Sequence, residues 1–493
     1  WADRGVAVTL ATLIGLGFLI RMILAFGQPL FVDEPFSLLA IQLTGASGIP
    51  RMPTGTLYLH GATLSYLLAP LAWVGLADLE HLSLLRGVSA VAGAVSVYLT
   101  WRLALAIGAW RVVALLAAAL VAFDPASVEW GGHLRMYALA QTLSLGVALV
   151  FMRVIADPRL DRGADGGRRL TLFGLVLLFW LDIFTHLATA LLWPAMALAA
   201  AFVFRGALLR ARRDVAAALA ACLGAPAAVI ALNAMTGSEA GTKVSAREGI
   251  PGISFLGDDK VQFGQMLHPD PGVWTSLFGP GPLDDVLPFI AVFGSALLIA
   301  TLLINPAVEI WPSVARRRIW VLLALHWIPV ALFALLAGDT STRYGLFLVP
   351  FAYALTALAL QALPTVLSSW PPHAPATFSR GAVASLGLGA LLLLHGIAGT
   401  AEIHADSASG KQDATAALRA LARERQPGDI VIASFPPPMS ARLLGSEQDL
   451  VFLPGGEASP RTLRYTRGTA DGGPTDYWLG VPALTTQAQM CGS

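Results

Sequence analysis

The sequence predicts an all-α polytopic membrane protein, and two properties of its 493 residues point to this class. Hydrophobic residues make up 56% of the chain and charged residues only 13%, whereas soluble proteins average about 25% charged residues. Apolar runs of roughly twenty residues, the length that crosses a bilayer, recur along the chain. These properties exclude a disordered, collagen-like or disulfide-based protein, and the net charge of +1 gives no support for nucleic-acid binding.

Eleven membrane-spanning helices are predicted from the apolar runs. The first run has neither the shorter apolar core nor the small-residue cleavage site of a secretory signal, so it counts as a helix. The predicted spans cover residues 6–27, 85–106, 111–124, 136–154, 171–185, 187–204, 214–235, 286–304, 319–337, 344–363 and 381–400. They belong to one membrane domain, residues 1–400, which is followed by a less apolar tail, residues 401–493.

Arginine placement predicts the orientation. With the N-terminus in the cytoplasm, the arginine-rich segments 153–169, 205–213 and 316–318 all lie inside. This arrangement satisfies the positive-inside rule, which the opposite orientation would violate. The prediction is therefore a multi-pass protein with a cytoplasmic N-terminus and an extracytoplasmic tail. The 29 arginines against 3 lysines, with only two asparagines, are typical of GC-rich bacterial coding, so the expected membrane is a bacterial inner membrane.

Three loops and the tail then lie on the outer face. The loops are residues 28–84, 124–135 and 237–285, and two helices along the membrane surface are predicted within the first, at 34–43 and 57–76. In the tail, an amphipathic helix is predicted at 411–425 and strands at 430–434 and 449–453. These elements predict a small α/β domain on the outer face.

Asp33 and Glu34 directly follow the first span and are flanked by apolar residues. A carboxylate in such a partly desolvated place can act as a general base or bind a hard cation. Acidic residues beside Pro35 are equally typical of a helix N-terminus, where they complement the helix dipole. Sequence alone leaves both interpretations open.

Several cations are also predicted near the outer face. Arg135 begins a span at headgroup depth, where it could bind a phosphate or simply extend to the interface. Arg343, followed by Tyr344, lies in a tight outer turn. It is a second candidate cation of the outer face, or it could simply pair with Asp339. His186 clusters with Asp182 and Thr185 at the outer end of the fifth span.

Two further arginines have competing interpretations. Arg21 lies inside the first span, where a charge is a functional candidate by default, or an internal partner for Asp33 or for a helix carbonyl. Arg86 begins the second span and is interpreted as an interfacial anchor. Carboxylates and cations together at the outer surface suggest a reaction on a lipid phosphate at that face.

Several of these segments resemble the polyprenyl-phosphate-sugar-dependent glycosyltransferases of the GT-C superfamily. The bacterial branch related to protein O-mannosyltransferases is the most similar in its pattern. The shared features are Asp33-Glu34 after the first span, the run from His133 to Leu139 (HLRMYAL), and Thr342-Arg343-Tyr344 before a proline-containing span. His133 stands where that branch usually carries a glutamate, although Glu129 is near in sequence.

The resemblance implies a GT-C-like fold and an inverting sugar transfer from a polyprenyl phosphate to an acceptor hydroxyl. Asp33 and Glu34 would be the catalytic pair, with Asp33 as the base. The donor's lipid phosphate would meet cations and polar rings at Arg135, Arg343, Tyr344 and His186. Contacts with the sugar or the acceptor are expected at Tyr58, His60, Glu129, His133 and Tyr137. The resemblance names no cofactor, a divalent cation is a candidate, and the sequence does not identify metal ligands.

The expected partners are a polyprenyl-phosphate-linked sugar, an acceptor protein, lipid or polysaccharide, and the membrane itself. Two other classes share parts of the pattern. A ligase would transfer a whole lipid-linked glycan with a similar architecture. A transporter or flippase would show charges along the midplane of several spans and repeated halves, and the sequence has one clear midspan charge, Arg21, and no repeat.

Overall fold

The computed structural model describes residues 2–31, 33–156, 165–203, 209–235, 286–304, 310–336, 342–368 and 377–408, together with short pieces of the tail at 423–424, 426, 432–434, 450–452, 466–468, 474–476 and 483–484. The predicted outer loop 237–285 lies outside these residues. So do Asp339 and, except for 423–424, the predicted tail helix at 411–425.

Helices form nearly all of the described membrane domain. In chain order they are α1 (Ala2–Gly27), α2 (Glu34–Ser47), α3 (Ala62–Trp73), α4 (Leu82–Ala106), α5 (Arg111–Ala122), α6 (Pro125–Gly131), α7 (Tyr137–Ala156), α8 (Asp165–Thr185), α9 (Leu192–Val203), α10 (Leu209–Met235), α11 (Val286–Ile304), α12 (Ser313–Leu336), α13 (Val349–Ser368) and α14 (Thr377–Ala408). Short 3₁₀ helices at Leu187–Leu191 and Thr342–Leu348 lead into α9 and α13. Helical structure therefore occurs at each of the eleven predicted positions.

Six of the described helices are long and apolar enough to cross a membrane. They cover Asp3–Gly27, Leu82–Ala106, Tyr137–Val154, Arg213–Leu232, Arg343–Pro364 and Ala382–Ala405. The bent pair α5 and α6, with 56° between its halves, makes seven if it counts as one span. A polytopic membrane protein is confirmed, whereas the count of eleven spans stays a prediction.

The break between α5 and α6 has a local cause. Asp124 is the N-cap of α6 and accepts a hydrogen bond from the backbone N–H of Ser127, while Pro125 occupies the first helical position. Proline there disfavours a helical conformation of the preceding residue, so α5 ends and a new helix begins. The segment 124–135, predicted as a loop, thus contains a seven-residue helix.

Two apolar clusters join the helices. One contains Phe151 of α7, Phe179 of α8, Phe333 of α12 and Phe351 of α13. The other joins the outer helices α2 and α3 to α4 and α5. By contrast, only 17% and 11% of the most apolar stretches of α1 and α14 are buried, as expected of helices that face lipid.

The outer helices and part of the tail match their predictions. Helices α2 and α3 occupy the positions predicted for surface helices. In the tail, β1 (Ile432–Ser434) pairs in parallel with β2 (Leu450–Phe452), at the two predicted strands. Strand β5 (Ala483–Leu484) joins them, and β3 (Thr466–Gly468) pairs antiparallel with β4 (Pro474–Asp476). The α/β domain as a whole stays a prediction.

Candidate active site

The carboxylate of Asp33 lies beside two arginines. Asp33 is the N-cap residue of α2, yet its side chain makes no capping hydrogen bond. Instead Oδ2 accepts a hydrogen bond from Nη1 of Arg343 at 3.0 Å and lies 3.6 Å from Nη2 of Arg135. Side-chain exposure is 26% for Asp33 and 24% for Arg343, so both groups remain accessible from outside the protein.

Arg135 is more deeply fixed than Arg343. Its Nη1 donates to the backbone carbonyl of Asp33 at 3.0 Å, to Oγ of Ser37 at 3.1 Å and to the hydroxyl of Tyr58 at 2.9 Å. The residue is buried, and its Nε has no hydrogen-bond partner among the described residues. One edge of the guanidinium is thus anchored, while Nε retains donor capacity.

Aromatic rings surround the guanidinium of Arg343. Its Cζ lies 5.6 Å from the ring centre of Trp130, 5.9 Å from that of Tyr137 and 5.4 Å from that of Tyr344. These distances are within the range of roughly 6 Å for cation–π attraction. The rings and Asp33 together fix an arginine that the sequence places in a turn remote from the first outer loop.

Two histidines extend this group of rings. The ring of His186 lies 5.3 Å from that of Tyr137, 5.5 Å from that of Tyr344 and 6.1 Å from that of His60. Burial lowers the pKa of His60 to about 4, and the charge of Arg135 adds to this effect. Burial also lowers the pKa of His186 well below its usual value, with further contributions from His60 and the arginines. Both rings are therefore neutral at pH 7.

His186 is the member of its predicted cluster that reaches this ring group. It is the N-cap of the 3₁₀ helix at Leu187–Leu191, and its Nδ1 accepts a hydrogen bond from the N–H of Ala188 at 3.3 Å. Asp182 is buried and accepts from Oγ of Ser144 at 2.7 Å, while the hydroxyl of Thr185 donates to a carbonyl of its own helix. The side chains of Asp182 and Thr185 thus make contacts with helices α7 and α8, away from the ring group.

Glu34 is fully buried and forms an ion pair with Arg86. Its oxygens also accept hydrogen bonds from the backbone N–H groups of Leu134 at 2.6 Å and Phe31 at 2.8 Å. Burial opposes ionisation of Glu34, but the charge and hydrogen bonds of Arg86 outweigh it and hold the pKa of this carboxyl well below its usual range. The interpretation of Arg86 as an interfacial anchor is wrong, because its side chain lies inside the protein on this partner.

His133 and Glu129 lie on the same side of the site. His133 is buried against the rings of Phe31 and Trp130, which also contact each other, and its Nδ1 is 3.7 Å from Oε1 of Glu34. Glu129, on α6, is half-buried and lies near His133 and Arg343. His133 thus faces a carboxylate that is already paired with Arg86.

The guanidinium of Arg21 donates hydrogen bonds to helix carbonyls, which is one of the two structural roles considered for it. It is fully buried and donates to the carbonyls of Gly17, Val121, Ala122 and Ser127 at 2.8–3.2 Å. Three of these acceptors flank the break between α5 and α6, where carbonyls lack helical partners. Arg21 therefore provides hydrogen bonds to the free carbonyls at this break and stabilises it. The break in turn positions α6 at the site.

A metal centre does not fit the described part of the site. No group of three or more His, Cys, Asp or Glu residues there is arranged to hold a metal ion. Asp33, the exposed carboxylate, already has two guanidinium groups beside it. Such a cationic environment suits an anion better than a divalent cation.

Three residues of this arrangement escaped the sequence prediction or were misassigned. The ring of Trp130 packs against Arg343, Ser37 accepts a hydrogen bond from Arg135, and Arg86 donates hydrogen bonds to the carboxylate of Glu34. The Asp124-Pro125 pair was a usable signal for a helix start that would present Trp130. Ser37 and Arg86 lack a comparable local signal, since a serine in a helix and an arginine at a span end are both common.

Comparisons with known proteins give matches at the level of structure. No family model and no curated protein matches the chain. The structure of the archaeal oligosaccharyltransferase AglB from Archaeoglobus fulgidus, in complex with an inhibitory peptide and a dolichol-phosphate, matches 91% of this chain with a TM-score of 0.58 and 12% identity. The chain spans only 64% of the length of that protein.

A second match covers both chains more evenly. The structure of ArnT from Cupriavidus metallidurans bound to undecaprenyl phosphate matches 94% of this chain and 88% of its own, with a TM-score of 0.51 and 15% identity. In its apo state, the same protein gives a TM-score of 0.55 at 13% identity. The predicted resemblance is thus confirmed for the fold, which this chain shares with these two proteins.

Proposed function

We propose that this protein is a membrane glycosyltransferase that moves a sugar from a polyprenyl-phosphate carrier to an acceptor hydroxyl, with inversion at the anomeric carbon. One observation carries the proposal: a partly exposed carboxylate, Asp33, lies beside two arginines and a group of aromatic rings. This combination offers a base for the acceptor, cations for the departing phosphate and flat apolar surfaces for a sugar. The shared fold supports a lipid-linked donor.

Asp33 is the proposed general base. Its side chain does not cap α2, so its oxygens are not needed by the helix. An acceptor hydroxyl that approaches the exposed side of the carboxylate would transfer its proton to Asp33 as its oxygen attacks the anomeric carbon. The bond from that carbon to the carrier phosphate then breaks, and both bonding electrons leave with the phosphate oxygen.

Arg343 and Arg135 are the proposed partners of that phosphate. Charge grows on the leaving oxygen as the bond breaks, so cations placed there stabilise the transition state more than the ground state. Nε of each arginine has no hydrogen-bond partner among the described residues. The accessible Arg343 is the better placed of the two for direct contact, with His186 and Tyr344 nearby as polar groups.

Glu34 has a positioning role in this proposal. Its carboxylate is fully buried and its contacts belong to the protein, which leaves no oxygen toward the exposed side of Asp33. By binding Arg86 and the N–H of Leu134, it fixes the segment that carries Arg135. This is an indirect contribution, in contrast to the proton transfer assigned to Asp33.

The rings form the proposed sugar surface. Tyr344 is the partly exposed ring of this group and offers a surface for a sugar ring, whereas Tyr137 and Trp130 are buried and would support it from within. His60 is neutral and able to hydrogen-bond the sugar's hydroxyls. Tyr58, Glu129 and His133 remain candidates for acceptor or sugar contacts. Glu129 is the second partly exposed carboxylate of this group.

The direct test is transfer by the purified full-length protein in liposomes. Undecaprenyl phosphate carrying a radiolabelled hexose or pentose is offered with envelope material of the native host, and the labelled product is isolated. We expect label in the product with an anomeric configuration opposite to that of the donor, and about 10²–10⁴-fold slower transfer with Asp33→Asn. Absence of both transfer and donor binding across the sugars would refute the proposal. Transfer only from an oligosaccharide-carrying lipid would identify a ligase instead.

We also propose the extracytoplasmic face as the place of reaction, in a bacterial inner membrane. The arginine distribution supports a cytoplasmic N-terminus, which puts Asp33, at the far end of α1, outside. A single cysteine at position 411 or 260 should react in intact cells with a membrane-impermeant thiol reagent, in a background without Cys222 and Cys491. Labelling only after permeabilisation would place the site in the cytoplasm.

A further inference from the structure

The side-chain amide of Gln141 connects three helices that carry the candidate active site. Gln141 is on α7 and is fully buried. Its Nε2 donates hydrogen bonds to Oγ of Ser127 on α6 at 3.0 Å and to the backbone carbonyl of Leu346, in the 3₁₀ helix before α13, at 3.2 Å. Its Oε1 accepts a hydrogen bond from Oγ of Ser96 on α4 at 3.1 Å. Both ends of the amide are therefore engaged.

The chemistry of the partners fixes the direction of this amide. A backbone carbonyl can only accept a hydrogen bond, so the nitrogen of the amide must face Leu346. That nitrogen has two N–H groups, which is why it can bind Leu346 and Ser127 at the same time. An apolar side chain of the same size would leave these buried acceptors unpaired, which costs free energy.

Two of the helices that Gln141 joins carry aromatic rings of the site. Tyr137 precedes Gln141 by four residues on α7, so one turn of helix separates them. Trp130 follows Ser127 by three residues on α6, again about one turn. The rings of Tyr137 and Trp130 are 4.9 Å apart. The amide therefore joins α6 and α7 one turn away from the place where their rings meet.

The same amide reaches the helix that carries Arg343. Arg343 precedes Leu346 by three residues, which is one turn of a 3₁₀ helix. The guanidinium of Arg343 lies 5.6 Å from the ring centre of Trp130 and 5.9 Å from that of Tyr137. All three members of this contact thus lie one turn from a single amide, which keeps their helices at a fixed spacing.

Helix α6 has only seven residues and depends on contacts with its neighbours, because so short a helix is not stable on its own. The hydroxyl of Tyr353 on α13 donates to Oδ1 of Asp124 at 2.6 Å and secures the start of α6. Gln141 adds a link from the first turn of α6 to the helix of Arg343. The position of α6 relative to Arg343 therefore depends on this amide.

We propose that Gln141 is a positioning residue of the donor site, whose amide sets the place at which Arg343 meets the rings of Trp130 and Tyr137. The inference rests on the proposed function, in which Arg343 stabilises the departing phosphate. Gln141 itself does not touch the substrate, since it is fully buried and its polar atoms bind the protein. Its effect on the reaction passes through Arg343.

A double-mutant cycle with Arg343 tests this role. Gln141→Met keeps the length of the side chain and removes both hydrogen-bond donors. We expect kcat/KM for the polyprenyl-phosphate donor to fall about tenfold, the effect of about one buried hydrogen bond. In an Arg343→Lys background the same substitution should lower kcat/KM by less than about twofold, because residues that act through one group are not additive. An equal fall in both backgrounds would overturn the proposal.

Thr142→Val is the matched control for Gln141→Met. Thr142 is the next residue of α7, and its Oγ1 donates to the carbonyls of Ala92 on α4 at 2.6 Å and of Ala138 at 2.9 Å. Valine keeps the shape and removes these hydrogen bonds, so the variant shows what weaker helix packing alone does. We expect a lower thermal midpoint in both variants but unchanged kcat/KM in Thr142→Val. A tenfold loss in Thr142→Val as well would identify general destabilisation and refute the positioning role.

Chemical modification of Arg343 gives a readout that needs no turnover. The full-length protein in detergent reacts with phenylglyoxal, which modifies accessible guanidinium groups, and peptide mass spectrometry measures the rate at Arg343 relative to that at the exposed Arg51. We expect this ratio to rise in Gln141→Met, because the guanidinium is displaced from its rings, and to stay unchanged in Thr142→Val. An unchanged ratio in Gln141→Met would refute the positioning role, whereas absence of transfer by the unmodified protein would count against the proposed function alone.

Discussion

Arg86 on α4 holds the carboxylate of Glu34 on α2 through two parallel hydrogen bonds, Nε to Oε1 at 2.8 Å and Nη2 to Oε2 at 2.6 Å. Its remaining donor capacity goes to carbonyls at the end of α1 and just after it, at Ala25, Gln28 and Pro29. One arginine thus joins the end of α1 to the start of α2, next to Asp33. Because Glu34 also binds the N–H of Leu134, the segment before Arg135 is fixed in the same network.

Glu34→Gln should therefore destabilise the protein strongly. The substitution keeps the shape but leaves the buried guanidinium of Arg86 without its counter-charge, a change that typically costs about 3–5 kcal/mol. Because the pKa of Glu34 is lowered in the folded protein, the stabilisation is fully present above the unfolded value of about 4.3 and is lost only as pH falls through the lower folded value. Thermal unfolding at pH 7 measures the effect. Arg153→Gln, at an exposed position, serves as the control, and equal midpoints for both variants would contradict the assignment.

Asp33→Asn should abolish most activity while leaving the fold intact. An amide cannot accept the acceptor's proton, and general-base catalysis typically contributes about 10²–10⁴-fold. The lost ion pair with Arg343 is partly exposed, so its contribution to stability is about 0–1 kcal/mol. Turnover, donor binding and thermal midpoint are measured on the same preparation.

Asp78→Asn provides the matched control for this variant. Asp78 lies in the same outer loop, and its carboxylate binds the backbone and ring of His81 away from the arginines. We expect nearly unchanged turnover. If the role of Asp33 were only to begin α2, asparagine would replace it equally well, because both residues are good N-caps. A fully active Asp33→Asn protein would thus refute the assignment as base.

Arg343→Lys should weaken donor use although the charge is retained. Lysine loses the planar fork that binds phosphate through two hydrogen bonds and packs less well against the three rings. A charge-assisted hydrogen bond contributes about 1.5–3 kcal/mol, so kcat/KM should fall by about 10- to 150-fold. Arg51→Lys, at an exposed arginine of the first outer loop, is the control. Unchanged kinetics in Arg343→Lys would remove this residue from the donor site.

The sequence was sufficient to predict where helices form, because long apolar runs depend on composition and not on tertiary contacts. The resemblance added Asp33 and Arg343 as members of one site. Neither the apolar runs nor the resemblance could predict that the side chains of Asp33 and Arg343 pair. These residues are 310 positions apart and meet only after the helices assemble. Arg86 was misassigned for the same reason, since an arginine at a span end looks identical whether it faces headgroups or a buried carboxylate.

Arg21 shows a related limit of sequence reasoning. A charge inside a span is a functional candidate by default, yet its four acceptors are backbone carbonyls, which no side-chain motif records. The glycines around Arg21 are the sequence feature that accommodates its buried side chain. A Cβ atom at Gly93 would lie 2.4 Å from Nε of Arg21, and one at Gly131 would lie 2.6 Å from its Cδ.

Gly93→Ala should consequently disrupt the support of the break between α5 and α6. The added methyl group would have to displace the buried Arg21 side chain from its carbonyls, and overpacking of this kind typically costs about 1–3 kcal/mol. Gly15→Ala on α1 is the matched control, because nothing lies within 4 Å of the new Cβ. Alanine favours a helix over glycine by up to about 1 kcal/mol, so that variant should be as stable as the original protein or slightly more stable. Thermal unfolding of the two variants side by side measures the difference. If Gly93→Ala unfolded at the same temperature as Gly15→Ala, the close packing of Arg21 against α4 would be refuted, and with it the role of this arginine in presenting α6 to the site.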